Sequence, residues 1–328
     1  VRMTGMVMDG IESDAALALT AHGNGNGIWT MYAGRPSGLS RSSSGDRDSW
    51  EPVAIEGVES AFVTSLSANI AASGQSLVLA GTNGGILRST DAAESWLMSP
   101  LGSPPPLVTA LDGWHSGSGS GWILAGTLED GVYRSGDRGA TWAAANIGLL
   151  DMSVHSLCCA VQRNGAATAL AGTETGVFLS TNGGRSWRDT GFHTDGVPVQ
   201  TMAWLPGVEL AVAGTAGAGV CLSEDNGRTW SWTEGALRNQ DVVLVTFVER
   251  PGQQPAILAV LSTSMQISLD LGRSWTQGDF APDEGDSIVS AVPLNNELPE
   301  LIVAIGLTSG PVRIVPVLSS VARIVDAS

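Results

Sequence analysis

Ser135-Gly136-Asp137-Arg138-Gly139-Ala140-Thr141-Trp142 reads as a tight polar turn closed by a tryptophan, and the chain repeats it. Ser223 to Trp230 is SEDNGRTW, and Ser268 to Trp275 is SLDLGRSW, with Ser274 in the threonine slot. Outward from these copies, Trp50, Trp96, Trp142, Trp187, Trp230 and Trp275 follow one another at 46, 46, 45, 43 and 45 residues. A period in the 40s marks propeller blades or helical arrays. The residues between the tryptophans decide for blades. In 154–187, an apolar β-rich run (154–161) precedes a turn at Gln162 to Gly165. The run TALAGT (168–173), a tight turn at 174–176, a third strand at 177–180 and the polar turn then lead to Trp187. Period-2 runs bounded by Gly and Asn are strand and hairpin signals.

The second-strand phrase recurs as LAGTNGGILRS (79–89), LAGTLEDGVYRS (124–135) and VAGTAGAGVCLS (212–223), with a weaker YAGRPSGLSRS at 32–42. After Trp275 the pattern continues without a polar turn, at 288–294, 301–307 and 310–315. The expected fold is therefore all-β: a single seven-bladed β-propeller of four-stranded antiparallel blades, one domain over 1–328. Its blades fall at about 15–53, 61–99, 107–145, 154–190, 199–233, 242–278 and 288–328. Open sheet edges are a liability, so a terminal segment (Arg2 to Met8 or Val321 to Val325) should complete the last blade, and the blade boundaries adopt closure by residues 1–10.

Composition fits many short strands joined by tight turns, with 42 glycines, 11 tryptophans and only 15% charged residues. A chain this long buries enough surface to fold without disulfides or metal. The net charge of −16, with arginine as the only strong base, argues against general nucleic-acid binding. Cys158, Cys159 and Cys221 form no disulfide or metal pattern. No apolar run is long enough to span a membrane. The chain opens at Val1, which is consistent with a mature or trimmed product, and an exported, periplasmic or extracellular setting is favoured.

The motif Ser-x-Asp-x-Gly-x-Thr/Ser-Trp resembles the Asp-box, or BNR, repeat family of β-propellers, over nearly the whole chain. Two copies depart from it: Ala93 replaces Gly in Ser89 to Trp96, and Asn182 replaces Asp in Ser180 to Trp187. The first copy keeps only Ser43, Ser49 and Trp50. The resemblance implies Asp-box hairpins on the face opposite the usual active site. Asp91, Asp137, Asn182, Asp225 and Asp270 are then turn residues, and Trp50, Trp96, Trp142, Trp187, Trp230 and Trp275 pack between blades. Asp in such a turn accepts bonds from its own backbone, and Gly tolerates positive φ.

Sialidases of the family use an arginine triad, a Tyr–Glu nucleophile pair and an Asp acid. This chain has only Tyr32 and Tyr133 and lacks the Arg-Ile-Pro signature, so sialidase chemistry is not expected. Glycosidases need two carboxylates across a pocket. The face opposite the boxes should carry Glu129, Asp130, Asp151, Glu174, Asp189, Asp195, Glu234 and Asp241, and 279–286 is the densest acidic run. Xyloglucan-cleaving propellers place catalytic Asp residues in such loops but pair two propellers across a cleft; a solvated acidic surface is the expectation here. His22, His115, His155 and His193 have no metal spacing. No catalytic residue, metal or cofactor is called for.

One pattern breaks the repeat. The fourth residue of the third strand reads Arg41, Arg88 and Arg134 in blades 1 to 3, and Arg313 in blade 7. In blades 4 to 6 it reads Leu179, Leu222 and Ile267. Arg packs its stem over neighbours and favours bidentate recognition at interfaces. Two readings follow: an arc of packed stems, or a partner-binding surface whose charge reversal at Arg88 and Arg134 would abolish binding with little change in melting temperature. The expected function is a non-enzymatic scaffold for a protein partner, as an assembly factor or accessory subunit. The resemblance points to the photosystem II assembly-factor group of single propellers. The alternative is a glycan-binding or glycoside-hydrolase-type propeller, which needs exposed Trp29, Trp114, Trp122, Trp204 or Trp232 as sugar platforms.

Overall fold

The computed structural model describes residues 14–23, 29–43, 50–55, 61–70, 76–115, 121–162, 165–205, 207–235, 237–250, 252–294 and 301–317. They form a β-propeller of seven antiparallel sheets, each a meander in chain order. The inner strands are Ala18–Gly23, Val63–Ile70, Val108–His115, Val154–Val161, Val199–Leu205, Val242–Val248 and Ile288–Pro293. Blade 4 shows the full plan, adding Ala167–Thr173, Gly176–Ser180 and the outer strand Arg188–His193. Blades 1 to 6 have four strands; blade 7 has three among the described residues, Ile288–Pro293, Ile302–Leu307 and Val312–Pro316. Both segments expected to complete it, Arg2 to Met8 and Val321 to Val325, lie outside the described residues.

The phrase Leu-Ala-Gly-Thr explains how the blades close on one another. A Cβ on Gly34, Gly81, Gly126 or Gly214 would lie 2.5–2.6 Å from Cγ1 of Val63, Val108, Val154 or Val242, the first inner-strand residue of the following blade. Only a glycine permits that approach. The threonine after it ties the next turn: Thr82, Thr127, Thr173 and Thr215 donate to the carbonyls of Gly85, Gly131, Gly176 and Gly219 at 2.8–3.0 Å. Blade 1 carries Arg35 in this place. Its buried guanidinium donates to the Gly310 carbonyl of blade 7 at 2.8 Å and to the Asp14 carbonyl, so it bridges the first and last blades.

The pairing of inner and second strands slips at the same point in blades 2 to 7. A slip of this kind leaves one residue unpaired and re-aims its side chain. The residues so placed are Thr64, Thr109, His155, Gln200, Val243 and Val289, and all six line the axial cavity.

Candidate functional site

Five polar turns are described in full, and they share one network. Ser89, Ser135, Ser180, Ser223 and Ser268 each donate to the third residue of the turn at 2.8–2.9 Å. Each serine also accepts the N–H of the fifth residue at 2.7–2.9 Å. The carboxylates of Asp91, Asp137, Asp225 and Asp270 then accept both the N–H and the hydroxyl of the seventh residue. Asn182 satisfies the same turn because the Ser186 hydroxyl accepts from its amide at 2.8 Å instead of donating. The donors on Ser95 and Ser89 hold Asp91 down to about 2. At Asp137 slight burial pulls upward, but the donors on Thr141, Ser135 and Ala140 still hold it at about 2.

The fourth and fifth residues of the turns are left-handed, at φ 61° and 66° for Ala92 and Ala93 and 60° and 78° for Asn226 and Gly227. The turn therefore points its fourth carbonyl toward the preceding blade. There the arginines meet it. Arg88 Nε donates to the Arg138 carbonyl at 2.7 Å, Arg134 Nε to the Gly183 carbonyl at 2.8 Å, and Arg41 Nη1 to the Ala92 carbonyl at 3.4 Å. Arg41 also pairs with Glu94 at 2.9 Å. In each case an arginine of one blade holds the fourth carbonyl of the next blade's turn.

The described pairing revises the position of Arg313. In blades 1 to 3 the arginine stands opposite the second residue before the glycine, as in Leu79↔Arg88 and Leu124↔Arg134. In blade 7 that place pairs Ala304↔Ile314, whereas Arg313 stands opposite Ile305. A one-residue slip puts a side chain on the other face of a sheet. Arg313 is out of phase with the arc and pairs with Asp283 at 2.9 Å.

The tryptophans that close the turns lie between blades. Trp187 is buried and donates to the Ala145 carbonyl of blade 3 at 2.9 Å, and Trp142 packs with Leu77 and Leu79 of blade 2. Trp96 is buried in a cluster with Tyr32 and Leu39 of blade 1. Trp275 packs with Leu222, and Trp230 with Leu179. Trp50 packs beside Met31 and Ala304, at the junction of blades 1 and 7.

On the opposite face, several carboxylates are held as acceptors for neighbouring loops. Asp151 accepts from the N–H and hydroxyl of Thr175, and Asp14 from the Ser37 N–H. Asp286 takes the hydroxyls of Thr308 and Ser309 at 2.5 Å; slight burial opposes them, but the donors hold it at about 2. Acids held so low are poor proton donors at neutral pH. Asp189 lies on the outer strand Arg188–His193 rather than in a face loop. Of the tryptophans a glycan reader would expose, Trp122 and Trp204 are buried, and Trp232 packs against Phe192 with centroids 5.2 Å apart.

The axial cavity, of about 500 Å³, is bounded by the inner strands of all seven blades. Many of its polar groups lace blade to blade. Thr64 donates to the Val108 carbonyl at 2.5 Å, Ser156 to Val199 at 2.6 Å and Ser290 to Ala16 at 2.5 Å. Gln200 donates to Asp241 at 2.6 Å and to the Val242 carbonyl. Burial lowers the His155 pKa against the pull of Glu174 and Asp151, so the ring is neutral at pH 7. Among the described residues, no three His, Cys, Asp or Glu side chains gather as a metal site.

No protein-family model matches the chain, and no curated protein sequence matches it. Solved structures do. YCF48 from Cyanidioschyzon merolae superposes with TM-score 0.64 at 12% identity, over 92% of this chain and 95% of that one. YCF48 bound to D1 peptide gives 0.62 at 17%, over 94% and 93%. An ancestral GH74 enzyme gives 0.67 at 16%, over 95% of this chain but 46% of that one. The chain shares their fold. At these identities the likeness extends no further.

Sequence reading missed the cleft between blades 4 and 5, about 370 Å³, at the level of the polar turns. The available signal was Leu179, which stands where blades 1 to 3 have arginine.

Proposed function

We propose that this chain is a non-enzymatic propeller that binds a protein partner, as an assembly factor or accessory subunit. The observation that carries the reading is the segment linking blades 3 and 4. Ile147 and Leu150 are 75% and 78% exposed there, and Met152 is 39% exposed. The segment is anchored, since the Ile147 carbonyl accepts the Trp187 N–H at 2.8 Å and the Met152 carbonyl accepts the Gly131 N–H at 3.0 Å. Exposed apolar side chains grouped on one fixed segment offer the kind of apolar patch that protein contacts cover. Further support comes from YCF48 bound to D1 peptide, a propeller of nearly the same length. The engagement of Arg88 and Arg134 between blades moves the contact we favour from the arginine arc to this rim. Ile147→Asp with Leu150→Asp tests it by affinity capture from native extract with mass spectrometry. The double variant should lose a stoichiometric partner that the wild type retains, at an unchanged melting temperature. Equal capture by both proteins would sink the reading.

A further inference from the structure

We infer that the cleft between blades 4 and 5 receives an arginine side chain from a protein partner, which rests on the reading that the chain binds a protein. The molecule supplies its own template. At the junctions of blades 2 with 3 and 3 with 4, a guanidinium Nε reaches the fourth carbonyl of the next turn at 2.7 and 2.8 Å. The Arg88 stem lies along the turn, its Cδ 3.7 Å from where a Cβ on Gly139 would sit. Blade 4 places Leu179 at this position, and the equivalent carbonyl belongs to Asn226. Among the described residues no N–H or O–H reaches that carbonyl. Both this junction and that of blades 5 and 6 pack the closing tryptophan against the leucine, but at the latter the fourth residue of the turn, Leu271, also packs on the Leu222 cluster, where the blade 5 turn has Asn226. Among the described residues, the space between blades 4 and 5 stays open.

The walls fit a guanidinium. Leu179 offers an apolar floor for the stem, and Gln162 and Thr168 add polar groups. Glu209 lines the cleft with a carboxylate that accepts from Asn226 Nδ2 at 3.2 Å. Arg228 also lines it, but its Nη1 donates to the Asp225 carbonyl at 2.9 Å. Arg185 occupies the same place in the blade 4 turn, bonded alike to the Asn182 carbonyl, and Arg134 reaches the adjacent Gly183 carbonyl of that turn. A second guanidinium is therefore accommodated next to such an arginine. Guanidinium is also less strongly hydrated than ammonium and presents planar donors, which favours arginine over lysine here.

The test is an amide-resonance titration of the whole chain with N-acetyl-arginine amide, N-acetyl-lysine amide and N-acetyl-citrulline amide. Resonances of Leu179, Glu209, Asn226 and Gly227 should shift and saturate with the arginine compound, and not with citrulline. Leu179→Arg should supply the side chain internally and abolish the response. Glu209→Gln, an exposed change that leaves the fold intact, should weaken it about tenfold, as expected for losing a charged hydrogen-bond partner. No shift at these residues, an equal response to lysine, or a full response in Leu179→Arg would each overturn the inference. If the arginine compound fails while Ile147→Asp with Leu150→Asp still abolishes partner capture, the inference falls and the protein-binding reading stands.

Discussion

At the scale of single residues, the glycines of this chain divide into those that turn and those that also make room. Gly184 does both. Its φ is 78°, and a Cβ there would lie 2.5 Å from Leu124 Cδ2 in the preceding blade. Leu124 is fully buried and has nowhere to retreat. Gly191 has a similar φ of 76° with nothing within 4 Å. Gly191→Ala should therefore cost about 1 kcal/mol, the left-handed penalty alone. Gly184→Ala should cost about 2–4 kcal/mol, because overpacking adds to it. Urea unfolding of the two variants separates the terms, and equal costs would show that Leu124 relaxes freely. Ala93, left-handed at φ 66°, shows that blade 2 carries an alanine at the position Gly184 fills in blade 4.

At the scale of elements, the break from arginine to leucine is a change in how one blade holds the next. Arg134→Leu copies at the junction of blades 3 and 4 what Leu179 does between blades 4 and 5. It removes a charge-assisted bond to the Gly183 carbonyl. The expected loss is about 1–2 kcal/mol, a fall of roughly 2–4 °C in a thermal melt for a domain of this size class. Arg88→Leu should behave alike, since Arg88 makes the same bond to Arg138. Unchanged melting in both would return the arginines to the role of a free binding surface. This is also where sequence legibility ends. The strands, the turns and the period were readable because they rest on local signals: Gly at positive φ, Asp bonded within its own turn, and alternation along each strand. The target of Arg134 lies 49 residues away in the next blade, and no local signal marks it. Arg313 shows the same limit, because only strand pairing reveals that it is one residue out of phase. The cleft beside Leu179 was visible as a broken pattern, but its walls come from four separate stretches of chain.

At the scale of the whole molecule, two groups of carboxylates pull the pH dependence of stability in opposite directions. Asp91, Asp137 and Asp286 are held at about 2, below their ordinary 3.8. A lowered acid contributes stability that is present above its unfolded value, so this contribution disappears as pH falls from about 4 through 2. Asp112 is the reverse case. Burial between blades 3 and 4 raises it to about 6, although the N–H groups of Cys159 and Gly113 bond its ionised form at 2.7 and 2.8 Å. A raised acid is favoured while protonated, so stability falls as pH rises from about 4 through 6 and the cost remains above that. The net charge of −16 adds repulsion over the same interval as carboxylates ionise. Stability should therefore peak in acidic solution at about pH 4–4.5, the lower edge of that window, where the lowered acids are ionised and Asp112 is still protonated. In Asp112→Asn the titrating group is gone, and its stability relative to wild type should rise by about 1–3 kcal/mol between pH 4 and pH 7. The Asn amide keeps one acceptor for the two N–H groups, so the variant starts lower at pH 4; the slope of the difference is the diagnostic quantity. Urea unfolding at half-unit steps from pH 4 to pH 7.5 measures it, and a flat difference would mean that Asp112 ionises in the folded protein as freely as in the unfolded chain.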